Sequence, residues 1–370
     1  MKKNKVCHIT TVHPLSDTRI FHKECTSLSK AGFEVYLIVQ HNKKETINNI
    51  NIHPLPSPKN RKDRILNLTK SAYKKALETN AEIYHFHDPE LIPLGIKLRK
   101  IGKKVIYDVH EDVPRQIMSK PYLNKFTKPF ISKSFEIYEN WASKKFNYII
   151  AATPHIRNRF LKINKNTVDI NNFPRLNELF EPVDWKFRKN EICYIGGISR
   201  IRGIIELVKA LEYVDTTLHL AGNFESEKLK KEVMSLQGWK RVKYYGFVNR
   251  EKIKDILKQV KIGVINFLPF PNHINSQPNK MFEYMSAGIP VVGSNFPLWK
   301  DILERNKCGV CVNPLDPKEI ANAINYLLSS NEVAKEFGKN ARNLIKNKYN
   351  WESEEKKLIR LYKNLLNLKE

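Results

Sequence analysis

Cysteine, glycine and long apolar runs are scarce in this chain, and each scarcity removes a class of protein. Five cysteines, Cys7, Cys25, Cys193, Cys308 and Cys311, are spread over 370 residues. An odd, scattered set gives no disulfide framework and points to a reducing compartment. Cys308-x-x-Cys311 has no second Cys or His pair nearby, whereas structural zinc takes four ligands, so the pair is expected to be apolar or structural. No stretch reaches the roughly 18 consecutive apolar residues of a membrane span. The apolar segment after the basic N-terminus is broken at His8, Thr10 and Thr11, too early for a signal peptide. A soluble or peripheral protein is expected. Internal repeats, low-complexity segments and recognisable nucleic-acid-binding motifs are also lacking.

What is present is length and positive charge. A chain of 370 residues can bury large cores, and two domains are expected. The formal net charge of +26 is uneven: residues 1–175 hold 32 Lys/Arg against 15 Asp/Glu, and residues 176–370 hold 32 against 23. The first half therefore faces nucleic acid or an anionic membrane surface, or the excess is only compositional.

Strand and helix patterns alternate along the chain. Residues 5–12 predict a strand, 20–31 a helix closed by Gly32, and Glu34–Gln40 a second strand, a βαβ start. The loop between them carries Asp17 and Arg19 at the carboxyl end of the first strand, where open parallel sheets place ligands. There Arg19 either grips a phosphate or sugar hydroxyl or forms a loop salt bridge. A further strand runs into His85-Phe86-His87-Asp88, with both histidines on one face. Residues 105–109 predict another, delivering His110, Glu111 and Asp112 to the same edge. Between Pro114 and Lys145, Lys120, Lys125, Lys128 and Lys133 are mixed with Tyr122, Phe126, Phe130, Phe135 and Trp141, and Phe126/Phe130 and Ile131/Phe135 are at helical spacing. Such a segment either lies on an anionic bilayer or packs as core. Residues 146–153 predict the last strand of the first domain, followed by a helix from Pro154.

The second half restarts the alternation. A strand over 191–195 ends in Gly196 and Gly197, followed by Arg200, Arg202 and a helix from Ile204. Glycines admit a ligand to the backbone and guanidinium forks pair with phosphate oxygens, so this is a candidate diphosphate grip. Further strands are predicted over 217–221, 242–248, 262–267 and 308–312. Asn275-Ser276-Gln277-Pro278-Asn279-Lys280 then opens a short helix that Gly288 and Pro290 stop. Pro278 is expected at the first helical position. The N–H groups of Asn279 and Lys280 and the helix dipole make this start an anion site. Glu283, one turn inside, is placed to accept from a pair of hydroxyls.

The stretch from Asn275 to Gly288 resembles the donor-site signature of retaining glycosyltransferases of the GT-B fold, family 4. Matching segments run over about residues 5–366, including an Asp17-x-Arg19-Ile20-Phe21 string. The resemblance implies two doubly wound α/β domains facing across a cleft: an acceptor-binding domain at 1–175, a nucleotide-sugar domain at 176–345, and a last helix, 346–370, returning to the first. It implies that Glu283 binds the ribose, and that the family's other glutamate would fall at 275, where this chain has Asn275. Arg202 matches the Lys before the family's glycine, and Gly197 stands where an Arg is usual, a loss that Arg200 is placed to compensate. Implied donor contacts are Gly196, Gly197, Arg200, Arg202, Asn275, Ser276, Gln277, Asn279, Lys280 and Glu283. Implied acceptor contacts are Asp17, Arg19, His87, His110 and Asp112. His110, Arg202 and Lys280 are the expected catalytic residues.

No protein-bound metal and no cofactor are expected. The implied activity is transfer of a sugar, from a UDP-sugar by preference, to a saccharide acceptor that is lipid-linked. Its setting would be surface-polysaccharide assembly at the inner face of the cytoplasmic membrane, without nucleic acid as partner. The alternatives are a sugar-nucleotide 2-epimerase of the same fold and a basic nucleic-acid-binding protein.

Overall fold

Short runs rich in Val, Ile and Tyr, each followed by a polar turn and an amphipathic segment, build two parallel sheets. The computed structural model describes residues 3–120, 123–180 and 183–368. The chain divides into two units, Met1–Asn172 with Ser353–Glu370, and Phe173–Glu352; the sequence reading set these divisions at 175 and 346.

In the first unit the strands are β1 (Lys5–Pro14), β2 (Glu34–Gln40), β3 (Glu45–Ile47), β4 (Ile50–Leu55), β5 (Ile83–Phe86), β6 (Lys104–Val109), β7 (Tyr148–Ala151) and β8 (Thr167–Asp169). They lie in the order β3-β4-β2-β1-β5-β6-β7-β8, parallel except for β3 against β4. The order reverses beside β1, so the carboxyl ends of β1 and β5 form the switch point where such sheets take ligands. Cys7 and Ile9 of β1 enter the apolar core with Tyr84 and Phe86 of β5. Because side chains alternate, His8 and His85, opposite each other in register, turn to the other face.

Several expectations are corrected. The helix over 20–31 begins as a π-helix, Ile20–Cys25, before Thr26–Lys30. Residues 146–153 contain β7 but not the last strand; the edge is β8, which overlaps the 168–174 segment that the family resemblance gives as a strand before the domain crossing. The segment 114–145 forms two helices, Val113–Met118 and Lys128–Ser143; Tyr122 lies outside the described residues. Residues 41–80, which the sequence reading leaves unassigned, supply β3, β4 and the helix Thr69–Thr79.

The second unit contains β9 (Ile192–Ile195), β10 (Leu218–Ala221), β11 (Val242–Gly246), β12 (Ile262–Ile265), β13 (Val291–Ser294) and β14 (Gly309–Val312). All are parallel, in the order β11-β10-β9-β12-β13-β14. The switch point here lies between β9 and β12. The signature helix is Asn279–Ser286; Pro278, with an extended ψ of 129°, is its N-cap, so the helix starts one residue after the expected position. Phe282 and Met285 are buried, and Gly288, at φ +72°, turns the chain into β13. The last helix, Trp351–Leu366, buries Leu358, Leu361 and Tyr362 on one stripe and belongs to the first unit from Ser353 onward. All five cysteines are free, and burial pushes the Cys308 and Cys311 thiols up to about 12. Among the described residues no helix is long and apolar enough to cross a membrane.

Candidate functional site

In the second unit the site starts from backbone packing. The loops after β9 and β10 touch directly: Gly196 N–H donates to Ala221 O at 2.8 Å, and a Cβ on Gly222 (φ +140°) would lie 2.0 Å from Gly196 O. Gly203, at φ +68°, opens the helix Ile204–Ala210 with its Cα so close to Asn266 that a Cβ would meet that carbonyl at 1.9 Å. These contacts set the Gly196–Gly197 turn rigidly at the sheet's carboxyl edge.

Two cations border that turn. Arg202 Nη1 donates to Gly197 O at 3.0 Å, and its guanidinium lies 5.5 Å from the Phe267 ring. Lys280 Nζ sits 3.9 Å from the Tyr194 ring centroid and 5.5 Å from that of Phe267. It also lies 3.0 Å from where a Gly196 Cβ would be. This ammonium is buried and has no hydrogen-bond partner among the described residues. Burial first, and the charge of Arg202 second, hold its pKa well below the lysine range. The helix is anchored beside β9 by Tyr284, whose hydroxyl accepts from Ile195 N–H at 2.8 Å. An unpaired buried ammonium is costly, and an anion at this turn removes the cost.

The other expected donor residues are dispersed. Glu283 Oε1 accepts from Arg250 Nη1 at 2.7 Å, and Arg250 also pairs with Glu178. Although burial works against the Arg250 charge, Glu283 and Glu178 outweigh it and raise its pKa. Sequence reasoning missed Arg250, which opens the helix Arg250–Gln259 just beyond the carboxyl end of β11. Arg200 does not join Lys280 and Arg202: its guanidinium pairs with Glu232, on the helix Glu227–Met234. The Ser276 hydroxyl donates to His273 O at 2.7 Å, and Trp299 Nε1 donates to Ser276 O at 2.8 Å. Asn275 and Asn279 are exposed, and Gln277 Oε1 is buried without a partner among the described residues.

In the first unit, the switch point collects histidines around Asp108. Arg19 Nε and Nη2 donate to the two Asp108 oxygens at 3.0 and 2.8 Å, and Nη1 donates to Ile170 O at 2.7 Å. The Arg19 guanidinium is thus in a buried ion pair with Asp108, the residue being 3% exposed, and is neither a solvent-facing grip nor hydrogen-bonded to the Asp17 carboxylate. Asp17 instead accepts from the N–H groups of Arg19 and Ile20 at 2.9 and 2.8 Å, and its other oxygen meets His13 Nδ1 at 3.1 Å. Asp112 is also reassigned. Its carboxylate faces Arg159 and Arg115 at 3.2 and 3.6 Å, in a helix-packing ion network.

His87 and His110 both reach Asp108 Oδ2, through Nδ1 at 3.1 Å and Nε2 at 2.8 Å. Burial lowers the His87 pKa to about 4, so its ring is neutral and donates from Nδ1. Its bare Nε2 then accepts from His8 Nδ1, 3.0 Å away. His8 Nε2 in turn accepts from the Tyr362 hydroxyl at 3.0 Å, and that oxygen accepts from His85 Nδ1 at 2.8 Å. His110 keeps 16% of its side chain exposed and is the member of the cluster open to a ligand. Sequence reasoning missed His8, Glu24, Asp108 and Tyr362. The signal for Glu24 was its place on the same helical stripe as Phe21, Cys25 and Leu28, all buried.

Two family models divide this chain between them: Glycosyltransferase Family 4 matches residues 18–170 and Glycosyl transferases group 1 matches residues 177–344. The chain belongs to the family 4 glycosyltransferases. Among curated family relatives, an uncharacterized glycosyltransferase of Methanocaldococcus jannaschii is 27% identical over 177 residues, 46% of this chain and 44% of the relative. The capsular polysaccharide biosynthesis glycosyltransferase CapM of Staphylococcus aureus is 24% identical over 168 residues, 43% of this chain and 42% of the relative. The matches span about half the length of these curated relatives, from 42% to 60%. The fold is that of solved GT-B enzymes. Sucrose-phosphate synthase from Thermosynechococcus elongatus superposes with a TM-score of 0.80 at 17% identity, covering 99% of this chain and 100% of that one. Anabaena HepE in complex with UDP and glucose gives 0.73 at 15%, covering 98% and 100%.

Within this family 4 chain, the Lys280 ammonium yields a thermodynamic prediction. Because burial lowers its folded pKa, the unfolded chain binds more protons than the folded one between that lowered value and lysine's ordinary value of about 10.4, and stability rises with pH across that window. Lys280→Met is therefore expected to stabilise the second unit in anion-free buffer at neutral pH, with a gain that shrinks as pH rises. Denaturant melts across that range measure it, and a variant less stable than the parent at neutral pH contradicts the unpaired-charge assignment.

Proposed function

We propose that this chain transfers a sugar from a nucleoside-diphosphate sugar, a UDP-sugar by preference, to a saccharide acceptor, with retention of configuration. The observation that carries this reading is the buried, unpartnered Lys280 ammonium beside the Gly196–Gly197 turn and Arg202. Two fixed positive groups and a helix N-terminus at one backbone turn suit a diphosphate, and they suit it better as it departs and gains charge. In this reading Glu283, with Arg250 holding its carboxylate, accepts from the ribose hydroxyls, and His110 stands on the acceptor side. The UDP and glucose named in the HepE complex support a uridine donor.

The proposed setting is assembly of a surface polysaccharide on a lipid-linked acceptor, at the inner face of the cytoplasmic membrane. The role of the relative CapM in capsular polysaccharide biosynthesis supports it. So does a surface on the first unit. Around the helix Lys128–Ser143, Phe126 is 90% exposed, Phe130 76%, Ile137 61% and Trp141 50%, with Lys125, Lys133, Lys144 and Lys145 exposed among them. Exposed aromatics among lysines suit an anionic bilayer surface.

Thermal-shift titration with UDP-, GDP- and ADP-sugars tests the donor. UDP-sugars are expected to stabilise the parent, Glu283→Ala to raise the donor KM, and Arg202→Ala to cut turnover about 10²-fold. Product that forms without any acceptor would replace transfer by epimerisation, and no stabilisation by any nucleotide sugar would remove the donor reading. Flotation with anionic vesicles tests the surface: binding at low salt is expected, falling with ionic strength and on Phe126→Ser with Phe130→Ser. Equal flotation of parent and double variant would exclude this face.

A further inference from the structure

The histidine cluster of the first unit leaves two groups unanswered. With the hydrogen-bond chain from His85 through Tyr362, His8 and His87 to Asp108 complete, His85 Nε2 has no hydrogen-bond partner among the described residues, and neither does either oxygen of Glu24. Both residues are fully buried, at 0% exposure. Burial, and the Asp108 carboxylate beside it, push the Glu24 carboxyl well above the usual carboxylate range. Glu24 and Asp108 are two carboxylates, and Arg19, 3.1 Å from Glu24 Oε1 and 2.8 Å from Asp108 Oδ1, is the cation that meets both. A buried carboxylate without hydrogen bonds is among the costliest arrangements a core can hold.

One nitrogen or oxygen from each of His8, Glu24, His85 and His87 lies within 4.8 Å of the others. His8 Nδ1 and His87 Nε2 are 3.0 Å apart, and Glu24 Oε2 is 3.8 Å from the first and 4.0 Å from the second. We propose that these four side chains bind one divalent transition-metal cation, Zn²⁺ foremost, through His8 Nδ1, His85 Nε2, His87 Nε2 and Glu24 Oε2.

Three imidazoles and one carboxylate form a ligand set that zinc accepts. Tetrahedral ligands at about 2.0–2.2 Å from zinc are about 3.3–3.5 Å apart, so the side chains need only small adjustments around the ion. The outer nitrogens are already positioned for it. His87 Nδ1 donates to Asp108, itself held by Arg19, and the outer nitrogens of His8 and His85 meet the Tyr362 hydroxyl. Carboxylate or oxygen acceptors behind ligating histidines fix ring orientation and raise ligand basicity. On binding, His8 changes tautomer: its proton passes from Nδ1 to Nε2 by exchange with solvent, so Nδ1 is free for the ion, Nε2–H donates to the Tyr362 oxygen, the ring stays neutral and no redox change is involved. The ion would tie β1, β5 and the helix Ile20–Cys25 at the switch point. It is a site in the first unit, separate from the expected donor contacts of the second unit, and it departs from the metal-free expectation drawn from the family resemblance.

The test uses tag-free, full-length protein, desalted and assayed for metal by mass spectrometry, then stripped and dialysed against Zn²⁺, Co²⁺ or Mn²⁺. One ion per chain is expected, with the visible d–d absorption of a four-coordinate cobalt site. Both are expected to be lost in Glu24→Gln and in His85→Gln, with circular dichroism reporting their fold. A folded parent that takes up no stoichiometric ion overturns the proposal, as does an ion that both variants retain, since surface histidines would then hold it. If the variants do not fold, histidine-ring NMR of the parent decides: shifts confined to His8, His85 and His87 on Zn²⁺ addition support the site, and unmoved rings refute it.

Discussion

The second unit is organised around one electrostatic constraint, a buried ammonium with no hydrogen-bond partner among the described residues. Lys280 is placed by the first turn of the helix Asn279–Ser286, which Tyr284 fastens to the backbone of β9. Tyr194, Phe267 and Arg202 surround it with two π-faces and a second positive charge. A core assembled only for stability does not tolerate this, because apolar side chains of the same volume do better. The arrangement is intelligible when an anion completes it, and the glycine turn beside it supplies the space.

The first unit applies the opposite rule to its own buried charge. Asp108 is satisfied on every side, by Arg19 in a bidentate pair and by His87 and His110. That saturation makes Asp108 an orienting centre: it sets which nitrogen of His87 carries the proton, and the order passes along His8, Tyr362 and His85. Order in such a network is communicated by tautomers, not by net charge. The consequence is a wall of aligned imidazoles whose partly exposed member is His110.

The parts of this arrangement that were legible in sequence are those made by neighbours along the chain. Alternation placed most strands, and the Asn275–Gly288 pattern located the Lys280 helix to within one residue at Pro278. Long-range partners were not legible. Arg19 stands two residues from Asp17, which suggested a local pair, yet its carboxylate is Asp108, 89 residues away. Arg250 carries no motif, and it meets Glu283 33 residues on, through the packing of one loop on one helix. Arg200 was assigned by its spacing from the glycines, but a single 3₁₀ turn, Arg200–Arg202, points adjacent guanidinium groups in different directions. His8 looked like an interruption in a strand. Its meaning came only from its register opposite His85, which is a property of the sheet.

A crystal structure of the protein with UDP tests the central claim most directly. The account predicts the diphosphate at the Gly196–Gly197 turn, with Lys280 Nζ and Arg202 within hydrogen-bond distance of its oxygens. A diphosphate bound elsewhere, with Lys280 still unpaired over Tyr194, would contradict it.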